Sequence, residues 1–319
     1  MKTILYKVLL IFILPIIIFT RCEKEPKPEK TIRDNNFKYA LIKLGVDTNK
    51  DSIISPAEAA EITTMDVGNN NISDMTGIQA FVNLATLKCD ENHLTGLDVS
   101  NNTKLVTLTC SLNQLTSLDI SKNTILIYLH CNENHLTSLD VSRNTALEVL
   151  WCMTNSLASL DLSKNTALEE LWCDDNKLGH LDVSKNTALN RLQCDFDQIT
   201  NLDVSNNTLL ISLNCNLNLL TSLDVLNNAA LKSLGCQSNS LSRLDVSKNT
   251  GLIELYCGSN KLASLDVSNN KNIWGLDISE MPSLYKVCVW AMPFPPAGVN
   301  MNTTNSPNVY FTTDCVGGK

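Results

Sequence analysis

The sequence holds no C-x-x-C pair, no glycine-rich phosphate loop and no Ser–His–Asp constellation. Those absences remove the usual signatures of zinc sites, nucleotide enzymes and serine hydrolases. Histidine is scarce: only His93, His130, His135 and His180 are present. Positive charge is in deficit, with 25 Lys and Arg against 33 Asp and Glu. That balance excludes nucleic-acid binding driven by phosphate contacts. Past residue 22 no apolar run is long enough to cross a bilayer.

What is present begins with an export signal. Lys2 and Lys7 precede the apolar run Val8 to Phe19, which is short for a membrane span and ends just before Cys22. The polar, proline-containing stretch Glu23 to Pro28 follows. Residues 1–21 are therefore expected to be a signal and 22–30 a tether. The arrangement resembles a bacterial lipoprotein signal, which implies lipidation of Cys22. Arg21 and the Phe19-Thr20 pair depart from that pattern. Cleavage elsewhere and an uncleaved anchor stay open. Loss of residues 1–21 removes three basic groups and takes the net charge from −8 to about −11.

Self-similarity decides the fold. Cysteines recur at 89, 110, 131, 152, 173, 194, 215, 236 and 257, always 21 residues apart. Around each lies L-x-x-L-x-C-x-x-N-x-L-x-x-L-D-V-S-x-N-T. The Asn after the cysteine is replaced once, by Asp197. An earlier unit is legible at Ile62, Met65, Val67, Asn70 and Ile72, and the pattern decays after Leu265. A 21-residue coil cannot bury its own apolar face, but stacked coils can. Alternating Leu and Cys point inward from a strand, and the Asn is a buried amide that must find backbone partners.

This frame resembles the leucine-rich repeats of bacterial, internalin-like surface proteins. The resemblance implies a mainly β solenoid of about ten coils over 62–283, with short convex segments. A small helical N-terminal cap over 31–61 and a C-terminal cap over 284–319 complete the expected layout. The coil is too short for a full convex helix. At about 4.8 Å per coil, ten coils give a body roughly 50 Å long.

The cysteine column reads as a small buried hydrophobe repeated in register. Parallel Cβ vectors suit disulfides badly. Cys288 and Cys315 break the period and are a possible disulfide of an exported chain. The Asp column from Asp98 to Asp266 is expected to be solvated and hydrogen-bonded, with a divalent-ion ladder as the alternative.

In the cap, Phe37, Ala40, Leu41 and Leu44 have helical spacing. Asp47 to Glu58 then follows D-x-N-x-D-x-I-x-S-x-x-E, the EF-hand loop with Ser52 in place of glycine. Calcium takes six to eight hard oxygens. The set here is Asp47, Asn49, Asp51, the Ile53 carbonyl, Ser55 and Glu58, for a structural Ca2+. The caps of internalin-type proteins resemble a truncated EF-hand, so a plain helix–turn–helix lid is the other reading.

The outward strand positions form a grid. Its middle carries Tyr128, His130, Trp151, Met153 and Trp172, flanked by Glu170, Asp174, Arg191 and Asp195. Aromatic and Arg clusters are what protein hot spots use, and Trp and Tyr rows also stack on sugars. A protein partner and a glycan are thus both open, as is mutual covering of the two Trp with a purely structural role. A glycosidase-like pair at Glu170 and Asp174 would sit on an open surface, and an enzyme is not expected. The expected protein is an exported monomer, an adhesin or scaffold. It would sit at the outer membrane or cell surface, be periplasmic or be secreted, and touch a membrane only through Cys22.

Overall fold

The computed structural model describes residues 32–315. The chain divides into residues 1–30 and 31–319. The signal, the tether and the lipidation site Cys22 lie outside the described residues. No helix among the described residues is long and apolar enough to cross a membrane.

Two short helices open the fold. Helix α1 (Asn35–Lys43) is capped by Asp34, whose side chain accepts from the Asn36 and Phe37 amides. The second oxygen of Asp34 accepts from Ser73 N at 2.8 Å and Asp74 N at 3.1 Å, which ties the helix to the first coil. Burial works against this charge, yet the four amide donors outweigh it and hold the carboxyl below its ordinary value. Phe37, Ala40 and Leu41 are buried as the spacing predicts, whereas Leu44 is the C-cap and is exposed. Helix α2 (Pro56–Ala60) starts with a capping box between Ser55 and Glu58.

The repeats become three-residue parallel strands: β1 (Thr64–Asp66), β2 (Thr86–Lys88), β3 (Thr107–Thr109), β4 (Tyr128–His130), β5 (Val149–Trp151) and β6 (Glu170–Trp172). They continue as β7 (Arg191–Gln193), β8 (Ser212–Asn214), β9 (Ser233–Gly235), β10 (Glu254–Tyr256), β11 (Ser264–Asp266), β12 (Gly275–Asp277), β13 (Lys286–Cys288), β14 (Asn300–Asn302) and β15 (Tyr310–Thr312). Strands β1 to β10 with β12 and β14 form one 12-stranded sheet, and β11, β13 and β15 form a second. The first sheet has twelve strands rather than ten coils' worth, because two C-terminal coils lack the Leu–Cys frame yet keep its pairing: Leu276 matches Leu255, and Met301 matches Leu276. Residues 284–315 thus continue the stack. Elsewhere the convex side is built of turns and one 3-10 helix, Ile78–Ala80.

The core is a set of columns. In one coil Leu126, Leu129, Cys131, Leu136, Leu139 and Val141 are all buried. All nine periodic cysteines are free and wholly buried. Of their thiols, those of Cys89, Cys173, Cys194 and Cys215 point along the stack, as Cys89 Sγ does to the Thr109 carbonyl at 3.3 Å. Burial pushes their pKa values well up, so they stay protonated.

Two columns of Asn hold the coils together. Asn134 Oδ1 accepts from Leu115 N at 2.9 Å, and its Nδ2 donates to the carbonyls of Cys110, Cys131 and Asn132. It therefore joins its own coil to the preceding one, not to the next. The second column also reaches back to the preceding coil, but only as a donor: Asn144 Nδ2 donates to Ile120 O at 3.0 Å and Asn123 O at 2.9 Å, while its Oδ1 is buried without a partner. Beside the first column the backbone turns left-handed in every coil, at one residue such as Leu112, Glu133 or Thr154, and at two, Phe196 and Gln198, around Asp197; none of them is glycine. Left-handed geometry costs about 1–2 kcal/mol at such residues. The Asn amide grips the carbonyls on either side of that residue's N-terminal neighbour and so fixes the turn.

Asp197 breaks the column. It is wholly buried, and its Oδ1 accepts from Asn176 N at 3.0 Å. Its Oδ2 has no partner, where an amide would donate. Burial first, then the charges of Asp174, Asp175 and Asp195, raise its pKa from 3.8 to about 7, against one backbone hydrogen bond that lowers it. The folded state therefore keeps a proton that the unfolded chain gives up earlier. The stability contributed is complete below about pH 4 and is lost as pH rises through about 7. Asp197→Asn restores a permanent donor. It is expected to raise the melting temperature at pH 8 by a few degrees, equivalent to about 1–3 kcal/mol, and to change it little at pH 4. Thermal scans of both proteins across that range check this; equal gains at both pH values would refute the protonated reading.

Candidate functional site

The sheet register brings the predicted face together. Tyr128, Val149, Glu170 and Arg191 lie side by side on β4 to β7, and His130, Trp151, Trp172 and Gln193 form the parallel row two residues on. Successive side chains in a row belong to strands about 4.8 Å apart, so planar rings can stack along the solenoid. They do. The His130 and Trp151 rings lie 3.9 Å apart and 5° from parallel, and Trp151 and Trp172 lie 4.2 Å apart and 1° from parallel.

Polar groups fix the stack. Trp151 Nε1 donates to Glu170 Oε1 at 2.8 Å. Arg191 Nη1 meets the other oxygen of Glu170 at 3.1 Å. The Arg191 side chain is 58% exposed and that of Glu170 14%, so the outer end of the pair is free to exchange partners while the inner end is held. Trp172 Nε1 is buried without a partner. Burial lowers the pKa of His130, against the weaker pull of Asp90 and Glu170, which leaves the ring neutral at pH 7. Tyr128 is exposed, and Met153 is half-buried at the edge of the row.

Asp174 and Asp195 are less available than their positions imply. Asp174 Oδ1 accepts from Asp195 N at 3.0 Å, and Asp195 Oδ1 from Asn216 N at 2.5 Å. The same position serves the same purpose in other coils: Asp90 accepts from Ser111 N, and Asn216 from Gln237 N. Burial raises Asp174 to about 6. This acceptor column escapes sequence reading because its members, Asp90, Asp174, Asp195 and Asn216, alternate between a charged and a neutral side chain and share only an oxygen.

The Asp column on the other side caps turns. Asp119, Asp140 and Asp161 each accept the amide two residues on at 2.9 Å. Hydrogen bonds from Ser121, Ser142 and Ser163 lower their pKa values.

In the cap loop, Asp47 accepts from the Asp51 and Ser52 amides, Asn49 from the Asp51 amide and Asp51 from the Ile53 amide. Ser52 takes φ 64°, the left-handed geometry that glycine serves in an EF-hand loop. Glu58 reaches across to Thr48 N, Thr48 Oγ and Asn49 N with one oxygen and to Ser55 N and Oγ with the other. Those bonds, led by the Ser55 amide, lower its pKa to about 2. The hard-oxygen donor set fits Ca2+ in kind, with Glu58 held on amides that an ion would have to displace. At the far end, Cys288 and Cys315 are free thiols beside Asp266.

No family model matches the chain. Over 70 residues it is 43% identical to internalin J of Listeria monocytogenes serotype 4b (strain F2365). That stretch is 22% of this chain, which spans only 8% of the relative's length. Among solved structures, the internalin inlF from L. monocytogenes strain 4b F2365 is 19% identical, covering 85% of this chain and 94% of that one, with a TM-score of 0.59. The functional domain of internalin J from L. monocytogenes, which includes a cysteine ladder, is 27% identical over 81% and 82%, with a TM-score of 0.45. A plant peptide hormone receptor, RGFR1, in complex with RGF2, is 17% identical over 79% and 48%, with a TM-score of 0.63. The fold is an internalin-like leucine-rich-repeat solenoid.

Trp151 covers one face of His130, so its removal should rehydrate the imidazole. Trp151→Ala is expected to raise the His130 pKa back toward 6.5, whereas Trp172→Ala, one ring further away, moves it less. Proton NMR titration of the histidines measures both; an unmoved His130 in Trp151→Ala would mean that the ring stack does not govern its burial.

Proposed function

We propose that this leucine-rich-repeat solenoid is an exported, non-catalytic protein-binding protein of the cell surface, acting as an adhesin or scaffold through its strand face. The observation that carries the reading is the ring stack itself. Sugars pack on the open faces of aromatic rings. Here both faces of Trp151, and one face each of His130 and Trp172, are taken by neighbouring rings at 3.9 and 4.2 Å. What reaches outward is ring edges bordered by exposed Tyr128 and the Arg191–Glu170 pair. Edges, a phenol and a guanidinium suit a polypeptide surface. A leucine-rich-repeat neighbour solved with a peptide hormone supports the same reading. Glu170 is engaged by Trp151 and Arg191, and Asp174 by a backbone amide, so the pair is not poised for glycoside hydrolysis. A monomer, anchored to a membrane only through Cys22 and without nucleic-acid partners, completes the proposal.

Glycan-array screening of the protein is expected to give no signal. Surface crosslinking on cells is expected to capture a protein whose yield falls at least tenfold with Tyr128→Ala plus Arg191→Ala, two changes that spare the rings. A saturable glycan signal lost in Trp151→Ala plus Trp172→Ala would replace this reading with a carbohydrate-binding one. Silence of every variant in both assays would favour a purely structural role.

We further propose a structural Ca2+ in the cap loop, held by Asp47, Asn49, Asp51, the Ile53 carbonyl, Ser55 and Glu58. The left-handed Ser52 supports it. Calorimetry is expected to show one saturable site with a rise in melting temperature. Asp47→Ala plus Glu58→Ala should abolish both. No heat and no stabilisation would leave residues 47–58 as a lid only.

A further inference from the structure

We propose that Cys288 and Cys315 are a disulfide-forming dithiol that locks β15 onto β13, and that they are the pair among the described cysteines placed to do so. The two Sγ atoms and a carboxylate oxygen of Asp266 all lie within 4.8 Å of one another. Cys288 ends β13, in register with Thr312 of β15, and Cys315 follows that strand by three residues. A bond between them joins neighbouring strands across the long excursion of residues 289–314.

The nine periodic cysteines are a different case. They stand in parallel on successive coils, and each is wholly buried. Of their thiols, those of Cys89, Cys173, Cys194 and Cys215 are turned toward the next coil's carbonyl, as Cys215 Sγ is toward Gly235 O at 3.4 Å. No oxidant reaches them, and their parallel geometry disfavours pairing. Cys315, by contrast, is partly exposed, and Cys288 is buried. Burial first, then the hydrogen bond shared with Cys315, holds the Cys288 thiol up at about 12. Entry is therefore through Cys315.

The oxidant is an external disulfide, small-molecule or protein. The Cys315 thiolate attacks one of its sulfurs and releases the first thiol, leaving a mixed disulfide. Cys288 then attacks Cys315 Sγ and releases the second thiol. One S–S bond is broken and one formed, and two electrons and two protons leave with the reduced oxidant. The same three side chains offer zinc only three ligands. One of them, Asp266, already accepts Ser268 N at 2.9 Å in its turn. The dithiol reading is favoured for that reason, and it does not depend on the binding role of the strand face.

The test equilibrates the full chain in mixtures of reduced and oxidised glutathione, alkylates under denaturing conditions and maps peptides without reduction. A Cys288–Cys315 linked peptide is expected, with every ladder cysteine singly alkylated. Oxidation should slow amide exchange over Tyr310–Thr312 and raise the melting temperature by roughly 5 °C. Cys315→Ser, which keeps the packing, should abolish both effects. Both cysteines alkylated throughout the series, or either one linked to a different cysteine, would overturn the proposal. So would one equivalent of zinc that survives dialysis and is lost in Cys315→Ser.

Discussion

The buried amide of the repeating Asn is the constraint on which the solenoid depends. A coil of 21 residues must turn sharply while its backbone is sealed inside a stack, and turning exposes carbonyls and amides that a helix or long strand would have paired. One side chain resolves this. It accepts an amide of the preceding coil and donates to carbonyls of both coils, so a single residue satisfies four backbone groups. Each such group left unpaired in the core costs about 1–3 kcal/mol. The left-handed turn beside it, the three-residue strands and their register are all tolerable because that network is closed from Asn92 to Asn260 in every coil but the one that carries Asp197. Hydrophobic columns supply the cohesion, but Leu and Cys alone would not dictate where the chain turns.

Two features follow from this division of labour. The cysteine column stays reduced and unpaired because the Asn network fixes the coils in parallel and buries every one of its thiols. The strand-face row one residue before each cysteine is free to vary, because its side chains take no part in the Asn network. Its chemistry shifts from Lys88 and Thr109 through the ring stack to Gln193 and Asn214 without altering the pairing between strands.

Much of this was legible in the sequence. The 21-residue period reveals the fold, the inward columns and the outward grid, since period alone assigns each side chain to a face. The C-terminal coils were legible only as a decaying pattern after Leu265, because β12 and β14 present Gly275-Leu276-Asp277 and Asn300-Met301-Asn302 in place of the Leu–Cys frame. Backbone pairing tolerates that change, but residue patterns do not reveal it. Leu44 shares the helical spacing yet caps the helix and is exposed, because spacing does not say where a helix stops. Asp174 and Asp195 read as free surface charges because their service to the next coil's amides depends on coil-to-coil geometry. The site was legible as a cluster of residues. That its rings would spend their faces on one another was visible only as a balanced alternative.

The ring stack also gives the molecule a fixed origin. Neighbouring coils exchange the same hydrogen bonds at the same places, so most could be exchanged, gained or lost without disturbing the joint between them. His130, Trp151 and Trp172 cannot be dealt with in that way, since each ring is complete only beside its own neighbours. The solenoid is thus a ruler of interchangeable divisions with one engraved mark. Its length can drift over evolutionary time while the marked coils must be inherited together.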